Sequence, residues 1–177
     1  MGPLPPAPPA QRGDETEDFH GERIADPYRW LERDGAAVRS WTDAQNARTR
    51  DTLGAVPERT RFATRLRELL GVGLLGVPQP VGDRVFFERR SAGARQMVLF
   101  VREGGRERAL IDPNRLDAAG LVTVDWWYPS PDGALVAYGL SRGGTEMSTL
   151  HVLDVATGDG LPDEIPHTQR AKVAWSG

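Results

Sequence analysis

The spacing of apolar residues changes period once along this chain. From Asp26 to about Leu70 it is helical. Val38, Trp41 and Ala44, with Gln45, share one face of a helix predicted over about 36–53. Phe62, Leu66, Leu69 and Leu70 fall at i, i+4, i+7 and i+8 of another that begins near Pro57 and ends in Gly71, Gly73 and Gly76. Before these, Asp26-Pro27 predicts a short helix start, since Asp can cap free N–H groups and Pro suits the first helical position; Tyr28, Trp30 and Leu31 load it with apolar surface. After Val77 the period becomes two. Val85 and Phe87 alternate with Phe86 and Glu88, and the pattern returns at Met97, Leu99 and Val101, at Val136 and Tyr138, and at Leu150 and Val152. Turn signals separate these runs: Val81-Gly82-Asp83, Ser91-Ala92-Gly93, Ser130-Pro131-Asp132-Gly133, Arg142-Gly143-Gly144 and Thr157-Gly158. The second half therefore reads as antiparallel β.

That half also repeats. A shift of 51 positions carries Gly82 onto Gly133, Val85 onto Val136, Phe87 onto Tyr138, Gly93 onto Gly144, Leu99 onto Leu150 and Val101 onto Val152. Each unit is a turn, a strand, a glycine hairpin and a second strand, and a period near 50 is that of β-propeller blades. Two similar hairpins in a sandwich would be the plainer reading, but six matched positions, two of them paired turn glycines, favour the propeller. The 101 residues from Val77 to Gly177 amount to about two blades, against ~4–8 in a closed propeller. Ala171-Lys172-Val173-Ala174-Trp175 reads like the first strand of a further unit. The expected fold is thus mixed: a helical segment followed by antiparallel repeats of an incomplete propeller. The expected divisions are a Pro-rich, then acidic, flexible tail over 1–18, a helical segment over 19–72, and two blades with the start of a third over 73–177.

Composition narrows the function. The 177 residues carry 22 Lys+Arg against 25 Asp+Glu, a formal charge of −3, with 39% hydrophobic and 27% charged residues. This suits a folded globular chain and lacks the basic surface that a nucleic-acid partner demands. The absence of cysteine excludes disulfides, thiolate metal sites and a cysteine nucleophile. Lys172 is the only lysine, to which no function is assigned. The start, with Pro3, Pro5, Pro6, Pro8 and Pro9, does not resemble a signal peptide, and the longest apolar run, Gly71 to Val77, is far short of the ~20 residues of a membrane span. The chain is expected to be cytoplasmic, with neither membrane nor nucleic acid as partner.

One motif nearly fits a hydrolase. Gly139-Leu140-Ser141-Arg142-Gly143 matches G-x-S-x-G, with Asp154 or Asp163 and then His167 following in triad order. The nucleophile elbow, however, needs a strand, a sharp turn and a helix. Here Glu146 to Val152 alternates like a strand, Gly143-Gly144 suits a hairpin, and only 36 residues follow Ser141. Ser141 is expected to be a turn serine, and no catalytic residue is assigned. His20, His151 and His167 lack ligand spacing, so neither metal nor cofactor is expected. Trp126-Trp127-Tyr128 could stack on a ligand, but strand neighbours point to opposite faces, so at least one tryptophan belongs to the core. Arg102 to Arg108 reads as a solvated hairpin tip, and Asp112 and Asp117 as carboxylates bracketing a turn.

The run from His20 to Glu32, with Asp26-Pro27-Tyr28-Arg29-Trp30-Leu31-Glu32 at its heart, closely resembles the N-terminal signature of the prolyl oligopeptidase family of serine peptidases. Trp41-Thr42-Asp43-Ala44-Gln45-Asn46 and Pro57-Glu58-Arg59 continue it, and Asp112-Pro113-Asn114, Ser130-Pro131-Asp132-Gly133, Ala137 to Ser141 and Leu161-Pro162-Asp163 are similar to the family's first blades. The resemblance spans about 18–177 and is closer to prolyl oligopeptidase than to oligopeptidase B. It implies a helical segment packed on a C-terminal α/β-hydrolase domain, with a seven-bladed propeller that screens short peptides cleaved after proline. The catalytic Ser, Asp and His of that domain have no counterpart here, so the partner implied is the missing catalytic domain. By the same resemblance Arg170 stands where the family often carries an aromatic residue lining the substrate cavity, which questions strict proline selectivity. An alternative of another class is a non-catalytic propeller-type binding module that completes itself by self-association.

Overall fold

The helical spacing around Trp41 yields helix α1 (Ala36–Gly54), and the Phe62/Leu66 stripe lies on α2 (Arg59–Leu70), in the computed structural model, which describes residues 4–176. The chain separates into two compact units, Met1–Arg67 and Glu68–Gly177.

The first unit departs from expectation at its start. His20 and Gly21 both adopt left-handed backbone angles, φ 54° and 85°. They thereby turn a two-stranded hairpin of β1 (Thr16–Phe19) and β2 (Glu22–Ala25). Asp26-Pro27 leads into a single 3₁₀ turn, Arg29–Glu32, rather than an α-helix. Asp26 does not cap it; its carboxylate pairs with Arg29 at 2.6 Å. Arg29 also binds Glu17, and these two carboxylates hold its guanidinium above its ordinary pKa. The Pro-rich segment expected as a flexible tail has its carbonyls engaged. Pro5 and Pro8 accept from Arg48 and Gln45 of α1, and Gln11 accepts from the Trp30 indole at 2.7 Å. Trp30 meets Trp41 edge to face, with ring centroids 6.4 Å apart. No described residue of this unit is buried.

The second unit is two antiparallel meanders. In the first, an interrupted edge strand, β3 (Leu74–Leu75) and β4 (Gln79–Val81), pairs with β5 (Arg84–Arg90), followed by β6 (Val98–Glu103) and β7 (Arg106–Ile111). After a short helix, α3 (Pro113–Leu116), the second sheet runs in order through β8 (Val122–Pro129), β9 (Leu135–Arg142), β10 (Thr149–Asp154) and β11 (Gly160–Ile165). The 51-residue repeat is real in three dimensions: β5–β6 and β9–β10 are equivalent hairpins, and Gly82 with Gly133 and Gly93 with Gly144 share positive φ. Among the described residues the sheets do not close into a ring.

The core lies between the sheets. Phe86, Leu99, Val101 and Ile111 of the first meet Val136, Leu153 and Val155 of the second. Arg84 adds a clamp, donating to the Gly133 carbonyl of the second sheet at 2.7 Å and to Glu103 of its own at 3.0 Å. Asn114 ties α3 to the first sheet by reproducing a strand partner: its side chain accepts from the Gln96 N–H at 3.0 Å and donates to the Gln96 carbonyl at 3.2 Å. Asp112 caps this short helix by accepting from the Asn114 N–H.

Candidate functional site

Trp126, Tyr128 and Ser141, three of the residues singled out for chemistry, share the face of the second sheet that points away from the first. Opposed residues in an antiparallel pair share a face, and the register places Trp126 against Gly139, Thr123 against Ser141 and Tyr128 against Ala137. Trp127, by contrast, packs on the core. The two tryptophans therefore point to opposite faces, and one of them is core, as the alternation of a strand requires.

Asp125 is a bulge, skipped where the pairing steps from Val124–Leu140 to Trp126–Gly139. The extra residue turns its carboxylate onto two buried hydroxyls. Ser141 Oγ donates to Oδ1 at 3.0 Å and Ser148 Oγ to Oδ2 at 2.5 Å. Ser141 stands near the end of β9. The chain then passes through Gly143 and Gly144, φ 66° and 72°, into β10. This is strand, hairpin, strand, and not the strand–turn–helix of a nucleophile elbow. Gly139, the first glycine of the motif, has its own cause: a Cβ there would lie 2.4 Å from Cε2 of Trp126. Gly139, Ser141 and Gly143, the three defining residues of the G-x-S-x-G match, thus each have a packing or turn role.

The other members of the apparent triad are engaged elsewhere. Asp154 accepts from the Thr157 N–H at 2.9 Å in a turn, and this bond is the main reason its carboxyl is held below the usual range. Asp163 lies on exposed β11, and His167 sits in a left-handed conformation just beyond it. His151 is half-buried, 3.6 Å from Glu164 and beside the Tyr138 ring. Burial, with Glu164 nearby, raises the Tyr138 hydroxyl. Among the described residues no cluster of three His, Asp or Glu could hold a metal, and no helix is long and apolar enough to cross a membrane.

Arg170 lines a cavity of about 300 Å³ together with Asp125, Trp126, Tyr128, Glu146 and Ser148. Its side chain is 88% exposed and its guanidinium lies 3.7 Å from Glu146. Residues 168–171 cross this face: the Trp126 indole donates to the Thr168 carbonyl at 3.0 Å, and the Thr168 N–H to Ser148 at 2.9 Å. The sequence brought Arg170 and Trp126 forward separately. Asp125, which organises the serines between them, was missed. No sequence signal marked it: Asp125 stands at a polar position of the regular alternation Val122, Val124, Trp126, and only the pairing register reveals the bulge.

Comparison with known proteins agrees with this geometry. Residues 8–177 match the family described as prolyl oligopeptidase, N-terminal β-propeller domain. The prolyl endopeptidase of Elizabethkingia meningoseptica is 26% identical over 172 residues, covering 96% of this chain and 24% of that protein. Prolyl oligopeptidase A of Amanita bisporigera is 23% identical over 96% of this chain and 26% of its own length. A solved prolyl endopeptidase structure shares 32% identity with a TM-score of 0.78, over 92% of this chain and 24% of that one. Oligopeptidase B from Leishmania major, 18% identical with a TM-score of 0.70 over 96% of this chain and 28% of its own, shares the fold. The chain spans about a quarter of the length of these relatives. With nearly all of its length matched, it belongs to the prolyl oligopeptidase family, as the N-terminal propeller region.

Proposed function

We propose that these 177 residues form the N-terminal portion of a prolyl-oligopeptidase-type serine peptidase and have no peptidase activity alone. The helical segment over 19–72 would pack on a C-terminal α/β-hydrolase catalytic domain, and 73–177 would supply two blades and the start of a third to a seven-bladed propeller that screens short peptides. Cleavage after proline would fall to the Ser, Asp and His of that catalytic domain. The observation that carries this reading is the asymmetry of coverage, 96% of this chain against 24% of a prolyl endopeptidase. The exposed stripe of Phe62, Leu66, Leu69 and Leu70 supports it, because such a face calls for a partner.

Arg170 would stand on the peptide-facing wall, where a guanidinium in place of an aromatic ring would loosen selection for proline. The test is an assay of residues 1–177 on a proline-containing chromogenic peptide, beside Ser141→Ala. No turnover by either is expected, since a nucleophile needs an assembled base and orienting group. Turnover that disappears with Ser141→Ala would overturn the reading and restore the elbow. Intrinsic turnover that survives that substitution would equally overturn it.

A further inference from the structure

The bound carbonyls of the Pro-rich segment are regularly spaced. Pro5 accepts from Arg48 Nε at 2.9 Å, Pro8 from Gln45 Nε2 at 3.3 Å and Gln11 from Trp30 Nε1 at 2.7 Å. The acceptors fall at i, i+3 and i+6. Polyproline II has three residues per turn and no internal hydrogen bonds, so carbonyls at this spacing line one edge of the helix and stay free for a partner. Pro5, Pro6, Pro8 and Pro9 bias residues 4–11 towards that conformation, because each ring fixes φ at about −65°.

The donors are arranged to meet that edge. Trp41, Gln45 and Arg48 stand at i, i+4 and i+7 of α1 and so share a face. Trp30, from the 3₁₀ turn, meets Trp41 edge to face and gives its N–H to Gln11. The order of the pairs, Pro8 with Gln45 and Pro5 with Arg48, runs the segment antiparallel to α1. Pro8 and Ala10 are half-buried there, whereas Pro5, Pro6, Ala7 and Pro9 are exposed. Beyond Gln11 the segment is fastened again: Arg12 donates to the Tyr28 hydroxyl at 3.0 Å, and the Gly13 N–H to the Pro27 carbonyl at 2.9 Å. Aromatic-lined grooves read proline-rich segments in this manner, exploiting a preformed backbone of low entropy. Because the hydrogen bonds go to backbone carbonyls and not to side chains, they select a conformation more than a sequence.

We propose that Trp30, Trp41, Gln45 and Arg48 form a binding groove for polypeptide in the polyproline II conformation, with residues 4–11 of the same chain as its resident ligand. This uses contacts within the first unit alone and stands apart from the peptidase reading. The test is an NMR titration of the isotope-labelled 177-residue chain, following the Trp30 indole resonance, which Trp30→Phe assigns. With Pro5→Gly, Pro6→Gly, Pro8→Gly and Pro9→Gly combined, the segment should leave the groove and move that resonance from its position in the parent. The free peptide Leu-Pro-Pro-Ala-Pro-Pro-Ala-Gln, the sequence of residues 4–11, should then return it saturably towards the parent position. The same peptide should bind the parent severalfold more weakly, because tethering holds the resident segment at an effective concentration on the order of millimolar. A peptide with glycine at the four prolines should not bind. Added to the four-glycine chain, Gln45→Ala or Arg48→Ala should weaken the proline peptide by about three- to tenfold, the effect of one lost hydrogen bond. Alanine suits a helix interior, so α1 should keep its circular dichroism in both. A Trp30 resonance unmoved by the four glycines, no saturable binding of the proline peptide, equal binding of the glycine peptide, or a site indifferent to both α1 substitutions would overturn the proposal.

Discussion

Gly139 and Ser141 show how a short motif can be produced by packing. The indole of Trp126 lies where a Cβ on residue 139 would stand, so Gly139→Ala should overpack this face and cost about 1–3 kcal/mol. Urea denaturation would measure it, and adding Trp126→Leu should recover much of the loss. Ser141→Ala removes one of the two hydroxyl donors to Asp125, and a loss of about 1 kcal/mol is expected in the same measurement. A glycine required by a neighbouring indole and a serine required by a bulged carboxylate cannot be told from a catalytic motif by local sequence. The partners are one strand away, at positions 125 and 126.

At the scale of elements, turns and short connections are fixed by carboxylates and one amide. Asn114→Ala would orphan both backbone groups of Gln96 and is expected to cost about 1–3 kcal/mol. Asp117, Asp132 and Asp154 each sit in a turn and are held below the ordinary carboxylate range. The leading causes are the Leu121 N–H for Asp117, the Ser130 hydroxyl for Asp132 and the Thr157 N–H for Asp154. A lowered folded pKa stabilises the fold above the unfolded value of about 3.9, and that contribution is lost as pH falls through the folded value. Thermal midpoints should therefore fall on acidification below about pH 4, and Asp154→Asn should flatten part of that limb. An acid limb in Asp154→Asn as steep as the parent's would count against the assignment. The signal for these turns was visible beforehand, in Ser-Pro-Asp-Gly and Thr-Gly. That Asp26-Pro27 would give only a 3₁₀ turn was not, because Asp26 is spent on Arg29 instead of on backbone N–H groups.

Over the whole molecule, burial is unevenly shared. The first unit has no buried residue among those described, while the second builds its core from Phe86 and its neighbours between two sheets. Hydrogen exchange of the isolated chain should accordingly show rapid exchange in α1 and α2 and slow exchange in β5, β6, β9 and β10. Equal protection in both units would contradict this account. Phe86→Ala should cost about 3–5 kcal/mol in denaturant unfolding, since it empties the centre of the only core described. The same unevenness underlies the proposed function, in which the exposed helical stripe of Phe62, Leu66, Leu69 and Leu70 calls for another domain.

Periodicity along the chain was enough to place α1, α2 and the β5–β6 and β9–β10 hairpins, because side-chain direction follows the 3.6- and 2-residue repeats directly. The 51-residue shift likewise revealed the blade unit, since equivalent strands need equivalent glycine turns. Which face of each blade is covered, why Arg84 reaches Gly133, and why Asp125 claims Ser141 were decided only in three dimensions. These depend on contacts between segments far apart in sequence, and a one-residue bulge is enough to redirect them.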